Sequence, residues 1–345
     1  MKAIVINKFG TADALEVVTN HPKPAILDNQ VLIQVHAAGV NPLDYKARKG
    51  QLKALQGSNF PLVLGNDASG VVAAVGASVT QFKVGDEVFA FTDASAKPSW
   101  TGFAESGAYA EFAVTREDTL ALKPKQMSHI EAASMPLAAL TAYQALQKVG
   151  LKAGMNVLVN GASGGVGIFA VQLAKHAGCQ VTGLCSERNF EMVKNLGADA
   201  VIDYKTSPIA ALEEQYDVVY DVADTTSYMQ CRHLLSPTGV YISNANLTKP
   251  LNMLSTWLFP LLGIFGLKQR TNFAWVTPSG KDLSAIAKIV DQGALHTVID
   301  SSYEMTDASA AHQRCESGRV AGKVVIVINQ NSAAERDSSC KPAAS

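Results

Sequence analysis

A chain of 345 residues, 48% hydrophobic and 17% charged, can bury a sizeable core, and its length predicts two domains or one domain interrupted by another. Its formal net charge of -1, with no basic block and no acidic tail, argues against nucleic-acid binding and against a strongly charged partner. Five cysteines, an odd number with none at CxxC spacing, argue against a disulfide framework and fit a reducing compartment.

The opening MKAIVINKFG reads as a strand and carries no signal-peptide pattern. A cytoplasmic or organelle-soluble location is expected, and removal of an upstream transit peptide stays open. Short alternating or β-branched runs follow at Ala3–Asn7, Gln30–Ala38, Gly70–Val75 and Glu87–Phe91, punctuated by Gly, Pro, Asn and Asp. They predict a compact, antiparallel, barrel-like domain. After Leu122-Lys123-Pro124 the pattern changes. Ser128–Val149 reads as a helix, with Ser128 as N-cap and Glu131 three residues on as its capping-box partner.

From Asn156 the pattern alternates. Strands are expected at Asn156–Asn160, Gln180–Cys185, Ala200–Asp203, Asp217–Asp221 and Gly239–Asn244, with helices to about His176 and over Asn189–Leu196. Apolar strands alternating with helices predict a parallel sheet covered on both faces. The apolar stretch Leu251–Leu267 is short for a bilayer span and contains Pro260. It reads as a buried helix or as a peripheral membrane contact. His296–Tyr303 and Lys323–Ile328 are strand-like, flank a helix of about Thr306–Ser317, and are expected to rejoin the first domain. The polar residues from Gln330 to Ser345 are expected to be a disordered tail.

The strongest chemical signal is Gly161-Ala162-Ser163-Gly164-Gly165-Val166-Gly167, between an apolar strand and an apolar-periodic helix. Such a loop lets the chain turn sharply, lets the backbone approach a pyrophosphate, and points a helix N-terminus at the anion. The string departs from G-x-G-x-x-G, because its first glycine position is Ala162. The next strand ends Cys185-Ser186-Glu187-Arg188, about 20 residues beyond the loop, where an NAD site usually carries an acid for the ribose 2′-OH. Ser186 can donate to a 2′-phosphate and Arg188 can pair with one bidentately, which favours NADPH. Glu187 could instead accept from an NAD ribose, or face solvent.

Further stretches stand in a recognisable order: Ala38-Gly-Val-Asn-Pro-Leu-Asp44, Gly65-Asn-Asp-Ala-Ser-Gly70, Val84-Gly-Asp-Glu-Val88, Gly107-Ala-Tyr-Ala-Glu-Phe112, Leu140-Thr-Ala-Tyr143, Leu196-Gly-Ala-Asp199 and Gly322-Lys323. With the glycine loop, they make the chain, over about residues 1–328, resemble the zinc-free quinone oxidoreductase branch of the medium-chain dehydrogenase/reductase superfamily. Cys185–Asn189 and Thr297–Asp300 narrow the likeness to plant chloroplast-envelope quinone oxidoreductase-like proteins and enone reductases. The resemblance implies an α/β fold made of a GroES-like β-rich catalytic domain (residues 1–124 and 292–329) and a Rossmann doubly wound parallel-sheet domain (125–291). It implies hydride transfer from NADPH to a small planar quinone or enone. Cofactor contacts are expected from Thr141, Ser163, Gly164, Gly165, Val166, Gly167, Ser186, Arg188, Tyr204 and Lys323. A homodimer or monomer is expected.

Zinc alcohol dehydrogenases of this superfamily place a Cys after the first glycine turn and use a Gly-His-Glu motif. Here those places read Gly39-Val-Asn-Pro-Leu-Asp44 and Gly65-Asn66-Asp67, and no cysteine lies between Asp86 and Glu111. Neither a catalytic nor a structural zinc is therefore expected. An enone or quinone carbon is already electrophilic, so neutral donors suffice to stabilise the developing oxyanion. Asn41, Tyr45 and Asn66 are the candidate catalytic residues, with Lys46 and Tyr109 as weaker ones. Asp44 and Asp67 read as cap or turn residues, and His36, His129 and His176 as ordinary surface or core residues. A reading from a different class is a cofactor-binding regulatory or membrane-associated protein with little catalysis. A zinc alcohol dehydrogenase is a third.

Overall fold

The computed structural model describes residues 1–53, 57–94, 107–244 and 268–329. The apolar stretch Leu251–Leu267 and the polar tail from Gln330 lie outside the described residues. In chain order the strands are β1 (Ala3–Ile6), β2 (Leu15–Val18), β3 (Gln30–Val40), β4 (Leu62–Val63), β5 (Asp67–Val75), β6 (Glu87–Phe91), β7 (Phe112–Arg116), β8 (Leu120–Leu122), β9 (Asn156–Asn160), β10 (Gln180–Cys185), β11 (Ala200–Asp203), β12 (Tyr216–Asp221), β13 (Leu235–Asn244), β14 (Arg270–Ala274), β15 (Ile299–Glu304) and β16 (Lys323–Val327).

Packing divides the chain into two units. One comprises Met1–Leu137, Thr277–Gln292 and the chain from Ile299 onward; the other comprises Ala138–Val276 and Gly293–Val298. The first unit is β-rich and GroES-like. Its larger sheet runs β15-β16-β3-β5-β6-β8, and β7 also pairs with β3. The eleven-residue β3 serves three partners, because β7 takes its first half and β16 its second half on the edge away from β5. β1 pairs antiparallel with β2 and β4 in a separate small sheet. Ile4, Ile6, Ile33, Val35, Val88 and Ile326 meet in the core between these layers. Each such fully buried side chain contributes roughly 1.5–3 kcal/mol over its exposed state.

The second unit is a parallel sheet of order β11-β10-β9-β12-β13-β14. The chain order reverses between β9 and β12, the place where open α/β sheets hold their ligands. Val157, Leu158 and Val159 of β9 are wholly buried, as a central parallel strand requires.

Two expectations need correction. Ser128–Val149 is two helices, His129–Ala133 and Pro136–Val149, because Pro136 lacks an N–H to continue the first and its ring disfavours helical backbone at Met135. The Ser128–Glu131 capping box is present: Ser128 Oγ accepts from Glu131 N–H at 3.2 Å, and the Glu131 carboxylate accepts from Ser128 N–H at 2.8 Å. The boundaries drawn at 125–291 assign the helix Gly280–Asp291 to the second domain, yet it packs with the first unit. Gly280 sits so close to β8 that a Cβ there would lie 2.3 Å from the Leu120 carbonyl oxygen. β2, β7, β8 and β14 carry no clear alternation, and each is held by its partners rather than announced by pattern.

Candidate functional site

The glycine loop follows β9 directly and turns over β10. Gly161 and Ala162 both donate their N–H groups to the Leu184 carbonyl, at 2.9 and 3.1 Å. Gly161 adopts φ 86°, a left-handed conformation that favours glycine. Gly167 opens the helix Gly167–His176, and a Cβ there would lie 2.1 Å from the Gly161 carbonyl oxygen. The helix start is therefore locked against the strand end. Gly164 N–H is given to the Gly161 carbonyl and Ile168 N–H to the Gly164 carbonyl, both at 3.0 Å, and the half-exposed backbone of Gly164–Val166 stands at the positive end of the helix dipole. A dinucleotide pyrophosphate fits this cradle, and side chains beyond hydrogen at Gly161 or Gly167 would not.

The carboxyl ends of β10 and β11 lie side by side, with Cys185 opposite Asp203. The residues that follow them, Ser186 and Tyr204, thus share one edge of the sheet. Tyr204 N–H donates to the Cys185 carbonyl at 3.3 Å, while the Tyr204 side chain is exposed. Ser186 is buried, and Glu187 and Arg188 project to the exterior in a short 3-10 turn. Asn189 ends that turn, and sequence reasoning assigned it no role. Its Nδ2 donates to Ser163 Oγ at 2.9 Å and to Ser186 Oγ at 3.2 Å. One amide thereby joins the glycine loop to the end of β10. Thr141 is buried in the helix Pro136–Val149.

A second residue missed from sequence, Asp221, ends β12 beside the same switch point. Its carboxylate accepts from Asn160 Nδ2 (2.7 Å), Thr226 N–H (3.0 Å) and Tyr241 O–H (3.2 Å). Burial raises its pKa while these donors oppose the rise. The network ties the ends of β9, β12 and β13 together and so fixes the floor on which the glycine loop stands. A single Asp at a strand end gives no pattern from which this could be read.

In the first unit, polar residues far apart in sequence gather in the interior. Asn41 Nδ2 donates to Asp67 Oδ2 at 2.8 Å, and Lys323 Nζ donates to Asn41 Oδ1 at 2.5 Å. Asp67 Oδ1 accepts the Leu137 N–H at 2.7 Å. The Asp44 carboxylate accepts from Asn41 N–H at 2.7 Å and from Tyr109 O–H at 3.2 Å, and His312 Nε2 lies 3.2 Å from the same phenol oxygen. Asn41, Asp44, Asp67, Tyr109, His312 and Lys323 are all buried. Desolvation pushes Asp44 up to about 7 and Asp67 up to about 6, the latter restrained by Lys323. Desolvation pushes His312 down to about 3, so the imidazole is neutral.

Asp44 does act as the cap reading expects, receiving the Asn41 N–H at the start of the helix Pro42–Arg48. Asp67 instead opens β5 as a partner of Asn41 and Lys323. Lys323, expected at the cofactor, stands with Asn41, the expected catalytic residue. Tyr109 is enclosed and committed to Asp44. Tyr45 is half-buried, and desolvation reinforced by Cys315 and Glu316 raises its pKa, which keeps a protonated phenol available as a donor. Asn66 is nearly buried, and its carbonyl accepts from Thr92 N–H and Oγ at 2.7 and 3.0 Å. Among the described residues no three His, Cys, Asp or Glu side chains gather in a metal-binding group, and no helix is long and apolar enough to cross a membrane.

Two family models match the chain: an alcohol dehydrogenase GroES-like domain over residues 27–125 and a zinc-binding dehydrogenase domain over residues 196–326. A chloroplast envelope quinone oxidoreductase homolog from Arabidopsis thaliana is 35% identical over 336 residues, spanning 94% of this chain and 98% of that protein. A 2-methylene-furan-3-one reductase from Solanum lycopersicum is 34% identical over 331 residues, spanning 94% of this chain and 79% of its own. The solved quinone oxidoreductase from Coxiella burnetii has the same fold, with a TM-score of 0.81 at 32% identity over 95% of this chain and 99% of that one.

Proposed function

Because the chain belongs to the medium-chain dehydrogenase/reductase superfamily, in its quinone oxidoreductase branch, we propose that it is an NADPH-dependent, zinc-independent reductase of quinones or α,β-unsaturated carbonyl compounds. The observation that supports the cofactor reading is the pairing of β10 with β11, which sets Ser186 and Tyr204 just past adjacent strand ends, one strand away from the glycine loop, with Arg188 two residues beyond Ser186. A hydroxyl, a guanidinium and a phenol are donors, which suits a 2′-phosphate better than a 2′-OH seeking an acceptor.

When bound, the nicotinamide supplies the hydride. The chain's own part is to orient and to stabilise. Gly164–Gly167 hold the pyrophosphate, Ser186, Arg188 and Tyr204 hold the adenosine end, and Thr141 lines the same unit. Tyr45, kept protonated by burial, donates to the acceptor's carbonyl oxygen as charge develops there. Asn41 and Asn66 are the other polar candidates for the acceptor's surroundings, with Lys323 holding the Asn41 amide in one orientation. Asn66 stands in the Gly-His-Glu position of the zinc enzymes, and an amide there supports chemistry without a metal. The names of the Arabidopsis and tomato relatives support a quinone or an enone as the acceptor.

The test is NADPH oxidation followed by absorbance, with a quinone, an enone, an aldehyde and a saturated ketone offered separately, with and without a chelator. Chelator-insensitive turnover of the quinone or enone, faster with NADPH than with NADH, is the expected result. Turnover confined to the aldehyde and abolished by the chelator would replace this reading with a zinc alcohol dehydrogenase.

A further inference from the structure

Ser163 and Ser186 each carry one hydroxyl proton and two lone pairs, so each could meet a neighbour as donor or acceptor. A phosphate oxygen only accepts. A serine serves a phosphate well when something else already occupies its acceptor side, leaving the proton no better partner. Asn189 is placed for that task at both serines at once. The residue is 9% exposed, and its backbone N–H is held by the Ser186 carbonyl at 2.9 Å. Its two Nδ2 protons go to the two hydroxyl oxygens, 26 residues apart and 3 residues apart in sequence. β9 and β10 pair in parallel up to Asn160 and Leu184, which brings the two serine-bearing loops to one sheet edge.

We infer that Asn189 is a positioning residue for the cofactor's phosphates: by occupying the acceptor sides of Ser163 and Ser186, it leaves both hydroxyl protons to be donated outward, one toward the pyrophosphate and one toward the 2′-phosphate. The inference rests on the NADPH reading above for the Ser186 arm only. The Ser163 arm concerns the pyrophosphate that NADH shares. An aspartate at position 189 has the same shape and the opposite polarity. It would accept both serine protons and set a negative charge beside the phosphates.

The experiment measures dissociation constants of NADPH and NADH by fluorescence for wild type, N189A, N189D, S163A, S186A and the doubles N189A/S163A and N189A/S186A, each checked for an unchanged melting temperature. N189A is expected to weaken both cofactors roughly three- to tenfold, the worth of an oriented hydrogen bond. N189D is expected to weaken NADPH on the order of a hundredfold, because acceptors then face acceptors around a charged group. The ratio of NADH to NADPH constants in N189A/S186A should equal that of S186A, and NADH binding to N189A/S163A should equal that of S163A, since a residue acting through a serine adds nothing once the serine is gone. N189D binding NADPH as wild type does, or N189A multiplying in full with both serine variants, would overturn the proposal. If N189D does not fold, the alanine cycles decide alone. Equal wild-type affinities for NADH and NADPH would refute the 2′-phosphate reading, while the S163A cycle measured with NADH would still support or overturn the role of Asn189.

Discussion

Lys323 and Asp67 stand 3.7 Å apart in the interior of the first unit, at the start of β16 and the start of β5, with Asn41 hydrogen-bonded to both. The cation and the carboxylate are almost wholly enclosed. Each offsets the desolvation of the other, and the amide between them has only one orientation that satisfies both.

Replacing Lys323 by methionine keeps most of the volume and removes the charge. Asp67 then loses the group that restrains its upward shift, and its folded-state pKa rises beyond about 6. The variant is expected to lose about 3 kcal/mol of stability near pH 8, where wild-type Asp67 is ionised. Nearer pH 5 the loss shrinks, because Asp67 is protonated in both proteins. Urea unfolding at the two pH values measures this; an equal loss at both would contradict it.

Asp44 is held at about 7 in the folded chain against 3.8 when free. A carboxyl whose pKa is raised on folding takes up protons on folding, so its contribution is present below 3.8 and is lost as pH rises toward about 7. Asp44→Asn keeps the acceptor for the Asn41 N–H and abolishes the titration. Its stability relative to wild type should therefore climb across that window, by at most about 1.4 kcal/mol per pH unit. His312, pushed down to about 3, titrates in the opposite sense in both proteins and cancels from the difference. A flat difference curve would show that Asp44 ionises normally.

Gly167→Ala forces a methyl to within 2.1 Å of the Gly161 carbonyl oxygen unless the loop moves. Overpacking of this kind costs about 1–3 kcal/mol. Because the displaced backbone is the proposed pyrophosphate cradle, NADPH and NADH should weaken together. Isothermal titration with both cofactors checks this, and selective loss of one would point to some other origin.

Arg188→Ala should raise the Michaelis constant for NADPH roughly tenfold or more, the worth of a charge-assisted hydrogen bond. The constant for NADH should change little, because only the 2′-phosphate distinguishes the two cofactors. Steady-state kinetics with each cofactor provides the comparison. Equal effects on both would sink the assignment of Arg188 to the 2′-phosphate.

Much of the molecule was legible in the chain itself. β9, β12 and the second half of β13 carry adjacent Val, Leu, Ile and Tyr residues that are buried, and local pattern suffices there because both faces of a central parallel strand are covered. The glycine loop declares itself, since turning, close approach and helix packing each demand glycine at adjacent positions. The Ser128–Glu131 cap was readable for the same local reason. The tertiary structure alone decided where Gly280–Asp291 packs: the helix joins the first unit, with Gly280 in close approach to the backbone of β8. It alone brought Lys323 to Asn41 across 282 residues, and gave Asp44, Asp67 and His312 their shifted protonation. Hydrogen-bond partners and desolvation depend on what surrounds a side chain in space, and for these residues the surroundings come from strands that the sequence keeps far apart.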